Sequence, residues 1–181
     1  MLSRKETKGQ VWVETAIYTL IGLTIIAILL AIANPQIQKI RTKSILRQTT
    51  SVLSNLDKEI SEISESAPGN SRVIPISLGK GKININSEND SIIYTLEDTN
   101  LEYSEPGVDV REGKLIIRTE KYGSGFNVFL ILDYKNRINI SYKGAENSQI
   151  LQAGTTPYKL VVQHIETENI NTNPNIDFDL I

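Results

Sequence analysis

Two features near the start of the chain could take part in chemistry. The first is the junction Lys8-Gly9-Gln10, where a basic residue and a glycine stand directly before a long apolar run. The second is Glu14, the one charged residue in the stretch from Val11 to Ala33. A secretory signal carries its small-residue cleavage site after its apolar core, whereas this junction comes before it. A cut between Gly9 and Gln10 would therefore remove a charged leader and leave the apolar segment on the mature chain.

Glu14 needs a partner if it lies in an apolar environment. An ionised carboxylate in the middle of a membrane helix costs about 2.5–3.5 kcal/mol on insertion scales. A cut between Gly9 and Gln10 would create an amine on Gln10, one helical turn before Glu14. We expect Glu14 to pair with this amine, either in its own chain or in a neighbouring subunit. The alternative is a glutamate that simply reaches the water among lipid headgroups.

Catalytic and metal-binding chemistry has little support in the sequence. The chain has no cysteine, which excludes disulfides and thiolate metal sites. Its single histidine, His164, lies in a strand-like run and is expected to be structural. The acidic residues do not have the regular spacing of a calcium loop and predict a solvated surface; they are Glu88, Asp90, Glu97, Asp98, Asp177 and Asp179. We therefore predict no catalytic residue, metal or cofactor, and expect a protein that is not an enzyme.

Two N-glycosylation sequons are present, at Asn89 and Asn139. Asn89 lies in a polar stretch that predicts a loop, which makes it the better acceptor. Asn139 lies in a predicted strand, so its modification would need an outward-facing side chain. Both are candidates if this part of the chain faces the outside of the cell.

The elements that position these residues begin with one long helix, predicted over residues 10–67. Its first part, residues 10–33, is apolar and would reach roughly 34 Å, enough to cross a bilayer. Its second part, residues 34–67, is amphipathic and ends at the breaker cluster Pro68-Gly-Asn-Ser71. The apolar stripe on the second part should dock on a β domain or form a contact between subunits. The stripe consists of Ile37, Ile40, Leu46, Leu53, Leu56, Ile60 and Ile63.

The rest of the chain, residues 68–181, predicts a β-rich head domain. Runs rich in β-branched and aromatic residues alternate with glycine-containing turns, which favours hairpins and an antiparallel sheet. Lys135-Asn136 between two strong runs predicts a tight hairpin, because asparagine tolerates positive φ. The fold class is therefore α+β, a long N-terminal, partly transmembrane helix followed by an antiparallel β-sheet head domain. The predicted strands are Arg72–Leu78, Lys82–Asn86, Ser91–Leu96, Lys114–Glu120, Phe126–Tyr134, Arg137–Lys143, Tyr158–Glu166 and Ile176–Ile181.

The charge distribution excludes one class of partner. The chain carries a net charge of −2, and residues 1–9 hold three positive charges and one negative charge, which leaves −4 for the rest. Nucleic acid is therefore not expected as a partner, because phosphate binding needs a basic surface.

The segment Lys8-Gly9-Gln10-Val11-Trp12-Val13-Glu14 at the head of an apolar helix resembles the class III signal peptide of archaeal type IV pilins. That family belongs to the type IV pilin and archaellin superfamily, and its pattern is Gln-x-Ser-x-Glu-x-x-x-Leu after a basic-Gly junction. Gln10 and Glu14 match the pattern, whereas Trp12 replaces the serine and Tyr18 replaces the leucine. The resemblance covers residues 4–33. It implies cleavage between Gly9 and Gln10 by a prepilin peptidase, and assembly through packed N-terminal helices.

The resemblance also implies partners and a location. The partners would be other copies of the chain or related pilins in a helical filament, the prepilin peptidase, an assembly ATPase and a membrane platform protein. Before assembly the chain would span the plasma membrane once, in contact with lipid, with its C-terminal domain outside; afterwards it would lie in a cell-surface filament. Major pilins, minor pilins and pseudopilins share this arrangement. The alternative is a single-pass membrane protein that never polymerises and has an extracytoplasmic β-sheet binding or sensing domain.

Overall fold

The computed structural model describes residues 7–166 and 173–181, with side chains from Val11 onward. It confirms the α+β fold class, since one long N-terminal helix precedes a set of mainly antiparallel strands. The helix α1 spans Thr7–Ser64 and continues through Pro35. The strands are β1 (Ser71–Ile76), β2 (Lys82–Asn86), β3 (Ser91–Thr99), β4 (Asp109–Glu112), β5 (Leu115–Tyr122), β6 (Gly125–Asp133), β7 (Asn139–Tyr142), β8 (Gln149–Gln152), β9 (Tyr158–Ile165) and β10 (Asn175–Leu180).

The chain divides into two compact units. The N-terminal unit is Met1–Arg41 and the C-terminal unit is Thr42–Ile181. The last part of α1 thus belongs to the same unit as the strands.

The strands form two sheets where the sequence predicts one. Sheet A has four strands in the order β1-β9-β10-β7, and sheet B has six in the order β4-β5-β6-β3-β2-β8. Neighbours are antiparallel except β7 and β10, which are parallel and pair Asn139 with Asn175. The sheets are therefore mainly antiparallel, as predicted, with one parallel pair.

The core lies between α1 and the inner faces of the two sheets. Five apolar residues of the helix stripe are at most 1% exposed: Leu46, Leu53, Leu56, Ile60 and Ile63. They belong to one cluster with alternate residues of the strands, among them Ile92, Leu130, Leu160 and Phe178. Burying one such side chain contributes about 1.5–3 kcal/mol relative to leaving it exposed. This burial confirms that the C-terminal part of the stripe docks on the β domain.

The first two residues of the predicted stripe, Ile37 and Ile40, are exposed. Ile37 is 45% exposed and Ile40 is 68% exposed. Both lie in the N-terminal unit, before the buried part of the stripe begins at Leu46. They are exposed in the described chain, so the alternative of a contact between subunits still applies to them.

The segment Lys135-Asn136 forms a turn but not a hairpin. Asn136 has a φ of +63°, as its residue type favours. However, β6 belongs to sheet B and β7 to sheet A, so the turn carries the chain from one sheet to the other. The adjacent Tyr134 is fully buried, and its backbone N–H donates to the carbonyl of Asp90 at 2.9 Å. This hydrogen bond extends the pairing of β6 with β3 by one residue, after which the chain turns towards sheet A.

Two strands have no counterpart in the prediction. All four residues of β4 are exposed, and β8 has one buried residue, Leu151. Both strands lie at the edges of sheet B and have a neighbour on one side only. They bury few apolar side chains, so their sequences lack the apolar pattern that predicts a strand. Short polar edge strands are a common way to limit edge-to-edge aggregation.

Candidate assembly segment

The stretch Val11–Ala33 is the most unusual surface in the described chain. It is long and apolar enough to cross a membrane, and the most apolar part of it has no buried residue. Large side chains on all sides of the helix are open, including Trp12 at 79% and Leu20 at 66% exposure. A soluble domain rarely leaves an apolar surface of this size uncovered. Such a surface is compatible with a helix that spans a membrane.

The hydroxyl groups in this stretch are satisfied inside the helix itself. The side chains of Thr15, Thr19 and Thr24 donate to the backbone carbonyls four residues earlier at 2.8–2.9 Å. A hydroxyl that is already hydrogen-bonded costs little to remove from water. These three residues therefore do not oppose the transfer of the helix into lipid or into a protein core.

Glu14 lies on this helix, between Val13 and Thr15, with an exposed side chain. The backbone of Gly9 and Gln10 is already helical, because α1 begins at Thr7. The side chain of Gln10 and the whole of residues 1–6 lie outside the described part of the chain. The geometry of the predicted cleavage site and of the pair between Gln10 and Glu14 is therefore not described.

The two sequon asparagines have different surroundings. Asn89 is exposed in the turn between β2 and β3, where its backbone N–H donates to Oδ1 of Asn86 at 3.1 Å. Asn139 is half-buried at the start of β7, and its backbone N–H donates to the carbonyl of Pro174 at 2.9 Å. The hydroxyl of Ser141, which completes the second sequon, already donates to Asp177 at 2.7 Å. The accessible acceptor is thus Asn89.

His164 has a structural role, because its ring and its backbone form hydrogen bonds to the segment after α1. It is 7% exposed, and its Nδ1 lies 2.8 Å from the backbone carbonyl oxygen of Ser66, just after the end of α1. Its backbone carbonyl accepts a hydrogen bond from Gly69, and its backbone N–H donates to Asn70. These contacts fix the segment after the helix against β9.

The acidic residues that the sequence analysis considered for calcium support turns and ion pairs. Oδ1 of Asp177 accepts hydrogen bonds from the hydroxyl of Ser141 and from the backbone N–H of Gly144, each at 2.7 Å. Oδ1 of Asp179 lies 3.4 Å from the ammonium group of Lys143. Over residues 7–166 and 173–181, no group of three or more histidine, cysteine or acidic residues is arranged to hold a metal ion.

The outer face of sheet B carries an apolar row that the sequence analysis did not identify. Adjacent strands place Ile116, Ile131, Ile93, Asn84 and Ile150 side by side across the sheet. Ile150 is 50% exposed and the others are half-buried. The Oδ1 atom of Asn84 is buried without a hydrogen-bond partner in the described residues. A face of this kind suits contact with another protein surface.

A signal for this row exists in the sequence. Strands with one solvated face alternate apolar and polar residues, whereas Ile92-Ile93, Ile116-Ile117 and Leu130-Ile131-Leu132 are apolar on both faces.

The N-terminal apolar helix followed by a β-sheet domain is compatible with a pilin-like layout. The chain matches no protein-family model, no curated protein and no solved structure.

Proposed function

We propose that this chain is a structural subunit of an archaeal type IV pilus-like surface filament. The subunit would be processed between Gly9 and Gln10 and assembled through its N-terminal helix. The proposed role needs no catalytic site. It commits the chain to self-association or to co-assembly with related pilins.

One observation carries the proposal, the apolar stretch Val11–Ala33 that the described chain leaves uncovered. Bilayer lipid covers this surface in the membrane-inserted precursor, and neighbouring helices cover it in the filament. The exchange replaces lipid contacts with protein contacts of similar apolarity, so close packing and polar pairing must guide it. Gly22 suits close packing, because it has no side chain that would hold a neighbouring helix away, and the space around it is open.

Glu14 supplies the polar pairing in this proposal. Once the leader is removed, the amine of Gln10 carries a positive charge near the same end of the helix. Pairing that amine with Glu14 of the same or a neighbouring chain neutralises two charges in a region with little water. A pair between neighbouring chains also fixes the axial position of one helix against the next.

The remaining partners follow from the resemblance. A prepilin peptidase removes residues 1–9, and an assembly ATPase with a membrane platform protein drives the subunit out of the bilayer. Before assembly the chain spans the plasma membrane once with its head domain outside, and afterwards it lies in the cell-surface filament. Basic residues in the leader, Arg4, Lys5 and Lys8, favour a cytoplasmic N-terminus.

A second candidate is a single-pass membrane protein with an extracytoplasmic binding or sensing domain that never polymerises. The apolar row on the outer face of sheet B favours it, because that row could receive a protein ligand. In this case Gly9 stays uncut and Glu14 has no role in assembly.

The N-terminus of the mature protein separates the two candidates. The full-length chain is produced in a host with a class III prepilin peptidase, isolated from membranes and analysed by mass spectrometry. We expect a terminus at Gln10 in the wild type and an uncut chain for Gly9→Val. The matched control is Gly22→Val, a change of the same type beyond the junction, which should leave processing intact. A wild-type terminus at Met1 or Leu2 in the presence of active peptidase would contradict the pilin proposal.

A further inference from the structure

We propose that the segment Ile37–Arg41, which follows the apolar stretch, binds the headgroups of anionic lipids in the leaflet on the side of the head domain. The inference rests on the membrane-inserted state in the proposed function. It adds a lipid-binding site to that state and names its chemistry, the phosphate groups of anionic phospholipids.

The position of the segment along the helix places its charges at the depth of the headgroups. Lys39 lies six residues beyond Ala33, which corresponds to about 9 Å along an α-helix. The headgroup layer on each side of a bilayer is about 5–8 Å thick. Lysine and arginine side chains are long enough to place their charged ends several ångströms from their backbone. The ammonium group of Lys39 and the guanidinium group of Arg41 can therefore reach lipid phosphates.

The apolar residues of the segment fit the same environment. Ile37 is 45% exposed and Ile40 is 68% exposed, and they lie next to the exposed side chains of Lys39 and Arg41. A surface that offers both isoleucine and basic side chains fits the boundary between headgroups and acyl chains. Bulk water would satisfy the two cations but would leave the two isoleucines exposed.

Charge pairing inside the protein does not account for these cations. Neither Lys39 nor Arg41 forms an ion pair with any residue in the described part of the chain. A second copy would have to supply carboxylates, yet most of those further along α1 already have partners. Glu59 and Glu62 pair with Arg72, and Asp57 pairs with Lys114. Helix α1 thus offers this segment few open carboxylates, whereas lipid phosphate lies at the depth of its charges.

The test measures lipid selectivity by electron spin resonance. The full-length protein is reconstituted in phosphatidylcholine bilayers with spin-labelled phosphatidylglycerol or phosphatidylcholine, and the relative association constant of the two lipids is determined. We expect a preference for phosphatidylglycerol that weakens at high salt. The double variant Lys39→Gln/Arg41→Gln should reduce it, by at most about fivefold per removed cation.

A matched control removes the same charge from the head domain. Lys121 and Lys135 are exposed and form no ion pair in the described residues, so Lys121→Gln/Lys135→Gln should leave the preference unchanged. The leader charges are present in all variants and cancel in the comparison.

Equal lipid preference in the wild type and in Lys39→Gln/Arg41→Gln would overturn the inference. Loss of cross-linking between copies in that variant, with lipid preference retained, would overturn it in favour of a second copy as the occupant. Extraction of the wild-type protein by alkaline carbonate tests separately whether the protein is inserted in the membrane, the state on which this inference rests. A protein that resists extraction but shows no preference refutes this site alone, whereas an extractable protein refutes the membrane-inserted state.

Discussion

The hydroxyl group of Tyr134 donates a hydrogen bond of 3.1 Å to Oδ1 of Asp57, which joins the end of β6 to helix α1. The other carboxylate oxygen of Asp57 lies 3.5 Å from the ammonium group of Lys114, in the turn between β4 and β5. Burial, and then the negative charge of Asp57, raise the pKa of Tyr134 well above its ordinary value. One carboxylate at the rim of the core thus holds the helix to two parts of sheet B.

The change Tyr134→Phe should lower the free energy of unfolding by about 1.5–3 kcal/mol, the range for a hydrogen bond to a charged group. The ring still fills its place in the core, so the loss comes from the hydroxyl. The measurement is urea denaturation of the full-length protein in detergent, followed by circular dichroism. Tyr122 is 65% exposed, so Tyr122→Phe is the control and should stay within about 0.5 kcal/mol of the wild type. Equal losses in the two variants would contradict the role of the Asp57 contact.

Alkaline pH should destabilise the head domain through Tyr94. Burial raises the pKa of Tyr94 to about 12. The unfolded chain ionises this group near its ordinary value of 10, so it contributes stability that is complete below pH 10 and is lost as the pH rises towards 12.

The measurement for Tyr94 is the urea midpoint as a function of pH. Tyr94→Phe also removes the hydrogen bond from the hydroxyl to the carbonyl of Lys80, so the slope of the midpoint with pH is compared rather than its value. We expect a shallower alkaline slope than in the wild type. Tyr134→Phe should reduce the slope in the same direction, because the pKa of Tyr134 is also raised. An unchanged slope in Tyr94→Phe would refute the assignment.

Gly81 should tolerate no side chain. A methyl group there would lie 2.5 Å from the carbonyl oxygen of Thr95 and 2.7 Å from the hydroxyl of Tyr94. Gly107 has nearly the same φ, +80° against +81°, but open space around it. Gly107→Ala should therefore lower the free energy of unfolding by about 1–3 kcal/mol through backbone strain, and Gly81→Ala should lower it more. Thermal denaturation of the two variants measures both losses. Similar losses would show that backbone conformation alone requires glycine at both positions.

Glu14→Gln should block filament formation but not processing. The variant keeps the size of the side chain and removes the charge that would pair with the amine of Gln10. Loss of one partner of a buried pair costs about 3–5 kcal/mol, enough to prevent helix packing. Electron microscopy of the cell surface counts filaments, and mass spectrometry reports the terminus at Gln10.

The control for Glu14 is Thr19→Val, because the hydroxyl of Thr19 is satisfied by its own helix. We expect filaments from this variant. Normal filaments from Glu14→Gln would exclude the proposed charge pair.

Asn89 should carry a glycan in a host with extracytoplasmic N-glycosylation, and Asn139 should not. Asn89 is exposed in a turn, whereas Asn139 is half-buried and the hydroxyl of Ser141 is engaged with Asp177. The mass of the intact protein should fall by one glycan in Asn89→Gln and stay the same in Asn139→Gln. A glycan on Asn139 alone would reverse this assignment.

The local pattern of apolar and polar residues in the sequence predicts much of this fold. The stretch Val11–Ala33 and strand β2 follow from composition and alternation alone. The parallel pairing of β7 with β10 does not, because it joins Asn139 to Asn175 across most of the second half of the head domain. The turn at Asn136 shows the same limit, since positive φ is a local property, whereas the place of β7 in sheet A rests on its pairing with β10, far along the chain.

The candidate functional surfaces are also only partly predictable from the sequence. Apolarity and Glu14 are visible in the sequence, and so are the isoleucines at positions 37 and 40. Periodicity assigns Ile37 and Ile40 to the same stripe as Leu46, because spacing along a helix cannot tell where its contact with another element ends. The row on the outer face of sheet B depends on strand order, which brings Ile93, Ile131 and Ile116 together from separate parts of the chain.

Strand β10 lies between β9 and β7 in sheet A, although it follows all the other described strands in the chain. During synthesis α1 emerges first, while β7 still lacks the neighbour with which it pairs. The buried sites of Ile176 and Phe178 stay empty until the ribosome has passed them. The head domain therefore completes its folding only after the whole of α1 has emerged, and a chain truncated before Asn175 would have an open core.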